Sequence, residues 1–183
     1  MRMQKISNQL WTTLACLSVA TALGCGTSKS DDLGGDAGNY LAFATNFVGY
    51  RSWSHAVATA DGAPSGVHTN GPMTVYWNKT PPHGSVEFPV GTIIVKETDP
   101  GVTPAQIFAM VKRGGGYNSS GARDWEWFEL QVPDDDTVLI LWRGVGPPNG
   151  ETYGGDPTTC NNCHGQAAAN DFVWSTALQL SSF

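Results

Sequence analysis

Cysteine is scarce in this chain: Cys16, Cys25, Cys160 and Cys163 are the only four in 183 residues. A disulfide framework is excluded, because the first two fall in the N-terminal export region and the last two form one closely spaced pair. Charge is sparse too, at 14% of residues, and Lys and Arg never cluster. That excludes nucleic acid as a partner, since phosphates call for basic patches. Long apolar runs are missing after the first two dozen residues, and nothing there approaches the roughly 20 apolar residues of a membrane span. There is no internal repeat, and neither methionine nor histidine follows His164.

What is present begins with an export signal. Arg2 and Lys5 make a basic start, and an interrupted apolar core runs from Leu10 to Leu23. Ala22-Leu23-Gly24-Cys25 is similar to a bacterial lipobox, with the usual order of Leu and small residue altered. Residues 1–24 are expected to be a signal peptide, with Cys25 lipidated; a plain secretory signal is the alternative. Gly26, in place of an aspartate, favours the outer membrane, with the soluble part in the periplasm or at the cell surface. Residues 25–38 are small and polar, as a lipidated N-terminus and tether require. Residues 39–183 remain for one domain. Loss of Arg2 and Lys5 leaves eight basic against sixteen acidic residues. Such a body is soluble and suits steering of a basic redox partner.

Tyr40, Leu41, Ala44, Phe47 and Val48 recur at helical spacing and predict a short amphipathic helix leading into Tyr50-Arg51-Ser52-Trp53. Beyond residue 60 Gly, Pro and Asn are dense and the apolar runs short and alternating. This pattern predicts strands at Met73 to Trp77, Gly91 to Glu97, Ile107 to Lys112, Trp125 to Val132 and Thr137 to Arg143. Thr103-Pro104 leaves a helix start open for the third. The run Gly114 to Gly121 lacks the Lys-Ser/Thr ending of a phosphate loop and reads as a mobile turn. Pro133-Asp134-Asp135-Asp136 reads as an acidic turn, without the spacing of a calcium loop. The expected fold is α+β, a single domain dominated by an antiparallel β-sheet with a few helices and a haem attached near the C-terminus.

The chemistry lies in Cys160-Asn161-Asn162-Cys163-His164, a C-x-x-C-H run. Two thiols at this spacing match the two vinyl groups of a porphyrin, and the adjacent imidazole reaches the iron. Export places the chain where haem c is attached. A structural zinc site wants a second such pair, and a thioredoxin-like dithiol normally follows an early strand; the dithiol stays as the principal alternative. The expected cofactor is one covalent haem c, with His164 as the iron ligand. A second axial ligand must come from upstream, from Met73, Met110, His55, His68 or His83.

From about Tyr50 to Trp174 the chain resembles the cytochrome P460 and cytochrome c′-β family. The matching pieces are Tyr50-Arg51-Ser52-Trp53, Val75-Tyr76-Trp77-Asn78, Phe88-Pro89-Val90-Gly91-Thr92 with Ile93-Ile94-Val95-Lys96-Glu97, Ala109-Met110-Val111-Lys112, Trp125-Glu126-Trp127, the haem motif, and Asp171-Phe172-Val173-Trp174. The resemblance implies a five-coordinate haem with an open distal face. In the P460 branch a distal lysine is cross-linked to the haem edge and hydroxylamine or nitric oxide is oxidised. In the c′-β branch nitric oxide or carbon monoxide binds behind apolar side chains. Lys96 is the candidate for the cross-link, sharing a strand face with Ile94 and Thr92. Glu126, on one face with Phe128 and Leu130, is the candidate for proton transfer. Arg51, and behind it Arg123, are candidates for contacts to nitrogen oxides. The implied partners are a small nitrogen-oxide or gas ligand, an electron-accepting redox protein, and the membrane through the lipid alone; a homodimer is left open. A non-catalytic gas binder and an electron-transfer cytochrome are the alternatives to the enzyme.

Overall fold

The computed structural model describes residues 38–58, 72–98, 106–134, 136–148 and 158–183. Every described residue belongs to one compact unit, Gly35–Phe183. The expected signal peptide, Cys25 and His68 lie outside the described residues.

Six strands, β1 (Ser54–Ala58), β2 (Met73–Trp77), β3 (Ile93–Thr98), β4 (Ile107–Lys112), β5 (Trp125–Asp134) and β6 (Thr137–Gly144), form one sheet in chain order. Each is antiparallel to the next. The fold is thus a β-dominated α+β domain with few helices. The strands are rich in β-branched and aromatic residues, whose side chains pack well on a pleated surface. Ile107–Lys112 is a strand, which closes the helix alternative. The unexpected strand is β1: its Ser, His, Ala and Val form a half-exposed edge with no strong apolar alternation.

The amphipathic helix expected from Tyr40 to Val48 is a correction. The segment instead makes two short 3-10 turns, Ala44–Phe47 and Tyr50–Ser52. Gly49, at φ +72°, breaks the run between them, a conformation open to glycine at little cost. Only Ala42, Phe47 and Tyr50 of this region go into the core, while Leu41, Phe43 and Val48 stay exposed.

Both faces of the sheet are covered, so the central strands are apolar on both sides. One face carries Ile93, Val95, Ile107, Ala109, Val111, Phe128 and Leu130 beneath Ala42, Phe47 and Tyr50. The opposite face carries Val75, Ile94, Met110, Trp125, Trp127 and Trp142 beneath Phe88, Val173, Leu178 and Leu180. Each such side chain contributes roughly 1.5–3 kcal/mol by leaving water. The second face is closed by the C-terminal segment, which opens with the helix α1 (Thr159–Gly165).

Candidate functional site

The helix α1 places Cys160, Cys163 and His164 three and four residues apart, and therefore on one side. That side faces the sheet. A helix of seven residues has little stability of its own, so its position depends on tertiary contacts. Asn161, between the two cysteines, supplies them. Its Oδ1 accepts from Asn118 Nδ2 at 2.8 Å, Ala122 N at 3.1 Å and Trp127 Nε1 at 3.1 Å. Its Nδ2 donates to Val145 O at 2.9 Å and Asn118 Oδ1 at 3.2 Å. The glycine-rich run Gly114 to Gly121, expected to be a mobile turn, is the other half of this clasp. It is tied back by Asp124 N to Tyr117 O at 2.6 Å and Gly116 N to Asp124 Oδ1 at 2.7 Å. Gly121 has to be glycine, because a Cβ there would stand 2.3 Å from the Asn161 amide. The spacing of the C-x-x-C-H run identifies the cysteines and histidine; nothing in it marks the first intervening residue, so the role of Asn161 was invisible in the sequence.

His164 packs against the Trp127 ring, centroid to centroid 4.5 Å. Its Nδ1 lies 2.7 Å from the Phe172 carbonyl oxygen. A carbonyl only accepts, so Nδ1 carries the proton and Nε2 keeps its lone pair, the tautomer of a metal-ligating imidazole. Burial pushes the imidazole pKa down to about 4, against the Phe172 hydrogen bond and with help from the Lys96 charge. The ring is neutral at pH 7. Burial likewise pushes the Cys160 thiol up to about 11. A redox dithiol works through a lowered thiol pKa, so the shift runs against that alternative.

A cavity open to solvent lies between α1 and the sheet. Cys160, Cys163, His164 and Lys96 all line it. Strand register explains why Lys96 is there: Val75, Lys96 and Phe108 form one row across β2, β3 and β4, beside the row Trp77, Ile94, Met110 and Trp127. Among the described residues the Lys96 amine has neither a hydrogen bond nor an ion-pair partner. Burial pushes its pKa down to about 8. Met110 also lines the cavity, whereas Met73 is buried elsewhere, His55 packs on Tyr76 and His83 is exposed.

Glu126 and Arg51 are not brought to this cavity. Glu126 is buried on the opposite face, as its alternation with Phe128 requires, and is held by Arg143 Nη2 at 2.6 Å and Arg113 Nη1 at 3.3 Å. Arg51 pairs with Glu97 at 2.6 Å, also beyond the other face, where Glu97 accepts from the Tyr50 hydroxyl at 2.7 Å. Arg123 is exposed and pairs with Glu87 at 3.5 Å. Glu129 lies on the same sheet face as the cavity though not on its wall: it alternates with Trp127 and accepts from Nε1 of the cavity-lining Trp142 at 2.7 Å. Continuing the Val75-Lys96-Phe108 row across β5, Glu129 was legible only to a reader who knew which face the cavity occupies.

Family models, curated proteins and solved structures gave no match to this chain. The site must be judged on its own chemistry. Among the described residues no group of three or more His, Cys, Asp or Glu side chains is placed to hold a metal ion by protein ligands alone. The donor set of two thiols and one Nε2 lone pair on the wall of an open, mainly apolar cavity fits the chemistry of a porphyrin.

Proposed function

We propose that the chain is an exported, lipid-anchored c-type haem protein of the cytochrome P460 type, oxidising hydroxylamine or nitric oxide in the cavity between α1 and the sheet. The observation that carries this reading is the convergence of Cys160, Cys163, His164 and the unpaired amine of Lys96 on one apolar cavity. In this reading Cys160 and Cys163 hold the haem through thioethers and His164 ligates the iron through Nε2. When bound, the haem supplies an iron site for small nitrogen species and a route for their electrons to a redox partner protein.

Lys96 would present its amine to the porphyrin edge, where a C–N link replaces one N–H and one C–H bond and gives up two electrons and two protons to an oxidant such as a peroxide. A pKa of about 8 leaves a useful neutral, nucleophilic fraction at the pH of the periplasm. Glu129 takes the proton-transfer role first assigned to Glu126, because it stands on the cavity face and Trp142 fixes its carboxylate. Val75, Ile94, Phe108 and Met110 exclude water and favour small uncharged ligands over ions. That apolar lining also favours the second reading, a non-catalytic nitric oxide or carbon monoxide binder of the c′-β type.

Hydroxylamine turnover with an electron acceptor separates the two. The enzyme reading predicts turnover by the purified mature protein and a fall of about 100-fold or more in Lys96→Ala. Ligand binding without turnover in either protein would leave the gas binder.

A further inference from the structure

The His164 imidazole is held by a carbonyl that sits in an unusual piece of backbone. Asp171 and Phe172 lie in succession at φ 50° and 65°, left-handed conformations that L residues other than Asn, Asp and Gly seldom adopt. Two such residues side by side persist only where the surroundings over-determine them. Here the surroundings are a buried ion pair. Lys112 Nζ donates to Asp171 Oδ1 at 2.6 Å and Oδ2 at 2.8 Å, with side-chain exposures of 3% and 4%. Asp171 Oδ2 also accepts from the backbone N–H of Phe88 at 2.8 Å. Lys112 is fixed in turn by its place at the end of β4, where its ammonium lies 5.3 Å from the Trp125 ring. The turn is thereby tied to the sheet at one point, one residue before the carbonyl that His164 uses.

We propose that Lys112 and Asp171 are positioning residues for the His164 imidazole: the pair pins the left-handed turn, and the turn aims the Phe172 carbonyl at Nδ1. Neither residue touches the cavity. Their effect on an iron ligated by Nε2 rests on the haem reading; their effect on the imidazole does not. A proton shared between Nδ1 and a carbonyl makes the imidazole more electron-rich, which favours oxidised iron. Releasing the turn removes that acceptor and raises the reduction potential.

The test uses the full chain exported by its host, reduced under carbon monoxide so that any iron is diamagnetic. Lys112→Met/Asp171→Ala removes both charges together, so that neither is left buried and unpaired. Lys112→Arg keeps the charge pair with Asp171 and so keeps the tie between the turn and the sheet. The proposal predicts that the hydrogen-bonded Nδ1 proton of His164, visible by NMR in the parent protein, is lost in the alanine double variant and kept in the arginine one. The reduction potential should rise in the first and stay unchanged in the second. A folded alanine double variant with an unchanged Nδ1 proton and unchanged potential would overturn it, as would equal effects in both variants. A parent protein without haem whose Nδ1 proton follows the predicted pattern would support the positioning role while sinking the haem reading.

Discussion

Lys96 is buried among apolar side chains with no counter-charge among the described residues, and folding therefore penalises its ammonium. Its folded pKa of about 8 lies below the ordinary lysine value of 10.5. Below pH 8 both folded and unfolded chains carry the proton and the full penalty is present. Between pH 8 and 10.5 the unfolded state binds more protons, so stability rises with pH, and above that window the penalty is gone. Lys96→Met should accordingly raise unfolding stability by about 2 kcal/mol at pH 7, discounted for partial exposure, with the difference vanishing by pH 10.5. Denaturant titrations across pH measure this. A lysine already bonded to a porphyrin has no such profile, so a flat difference marks the link. Asn161 is the other decisive residue. Its loss in Asn161→Ala leaves the Trp127 indole, the Ala122 amide and the Asn118 amide without their acceptor, at a cost of about 2–4 kcal/mol. Gly121→Ala strikes the same clasp from the other side. The two substitutions should therefore combine to much less than their sum, which a double-mutant cycle in unfolding free energy reads directly.

At the scale of elements, β5 shows what alternation can and cannot say. Its period of two groups Glu126 with Phe128 and Leu130, and Trp125 with Trp127 and Glu129, and the structure keeps both groupings. Which group meets the cavity is decided by the C-terminal segment that covers one face, and both faces of β3, β4 and β5 read as apolar. That is why Lys96 could be placed beside Ile94 from sequence, while Glu126 was named for proton transfer although it lies on the face away from the cavity. The same two-sided burial made the strands themselves legible, with β2 and β4 falling at the residues expected. The difference between the glutamates is testable. Glu126→Gln breaks a buried network with Arg143 and Arg113 and should cost about 3 kcal/mol of stability. Glu129→Gln should slow hydroxylamine turnover. Equal turnover in the two variants would remove Glu129 from the proton path.

Across the whole molecule the sheet acts as a partition. The N-terminal turns build one core and the C-terminal segment with its C-x-x-C-H helix builds the other, so the site sits between the last segment of the chain and strands laid down before it. The fold class was legible because short apolar runs and dense turn residues leave few alternatives to an antiparallel meander. The clasp, the left-handed turn and the collapse of the expected first helix were not, since each depends on a contact between distant segments. The proposed export is a separate property, which would be carried by residues 1–25. Cys25→Ser should move the mature protein from the membrane fraction to the soluble periplasmic fraction without altering its visible spectrum. The central claim, that this cavity holds a covalently attached haem modified by Lys96, is tested most directly by the absorption spectrum of the purified, reduced mature protein. Red-shifted, broadened haem bands that revert to ordinary c-type bands in Lys96→Ala are the predicted result, and a parent protein with no haem bands would contradict it.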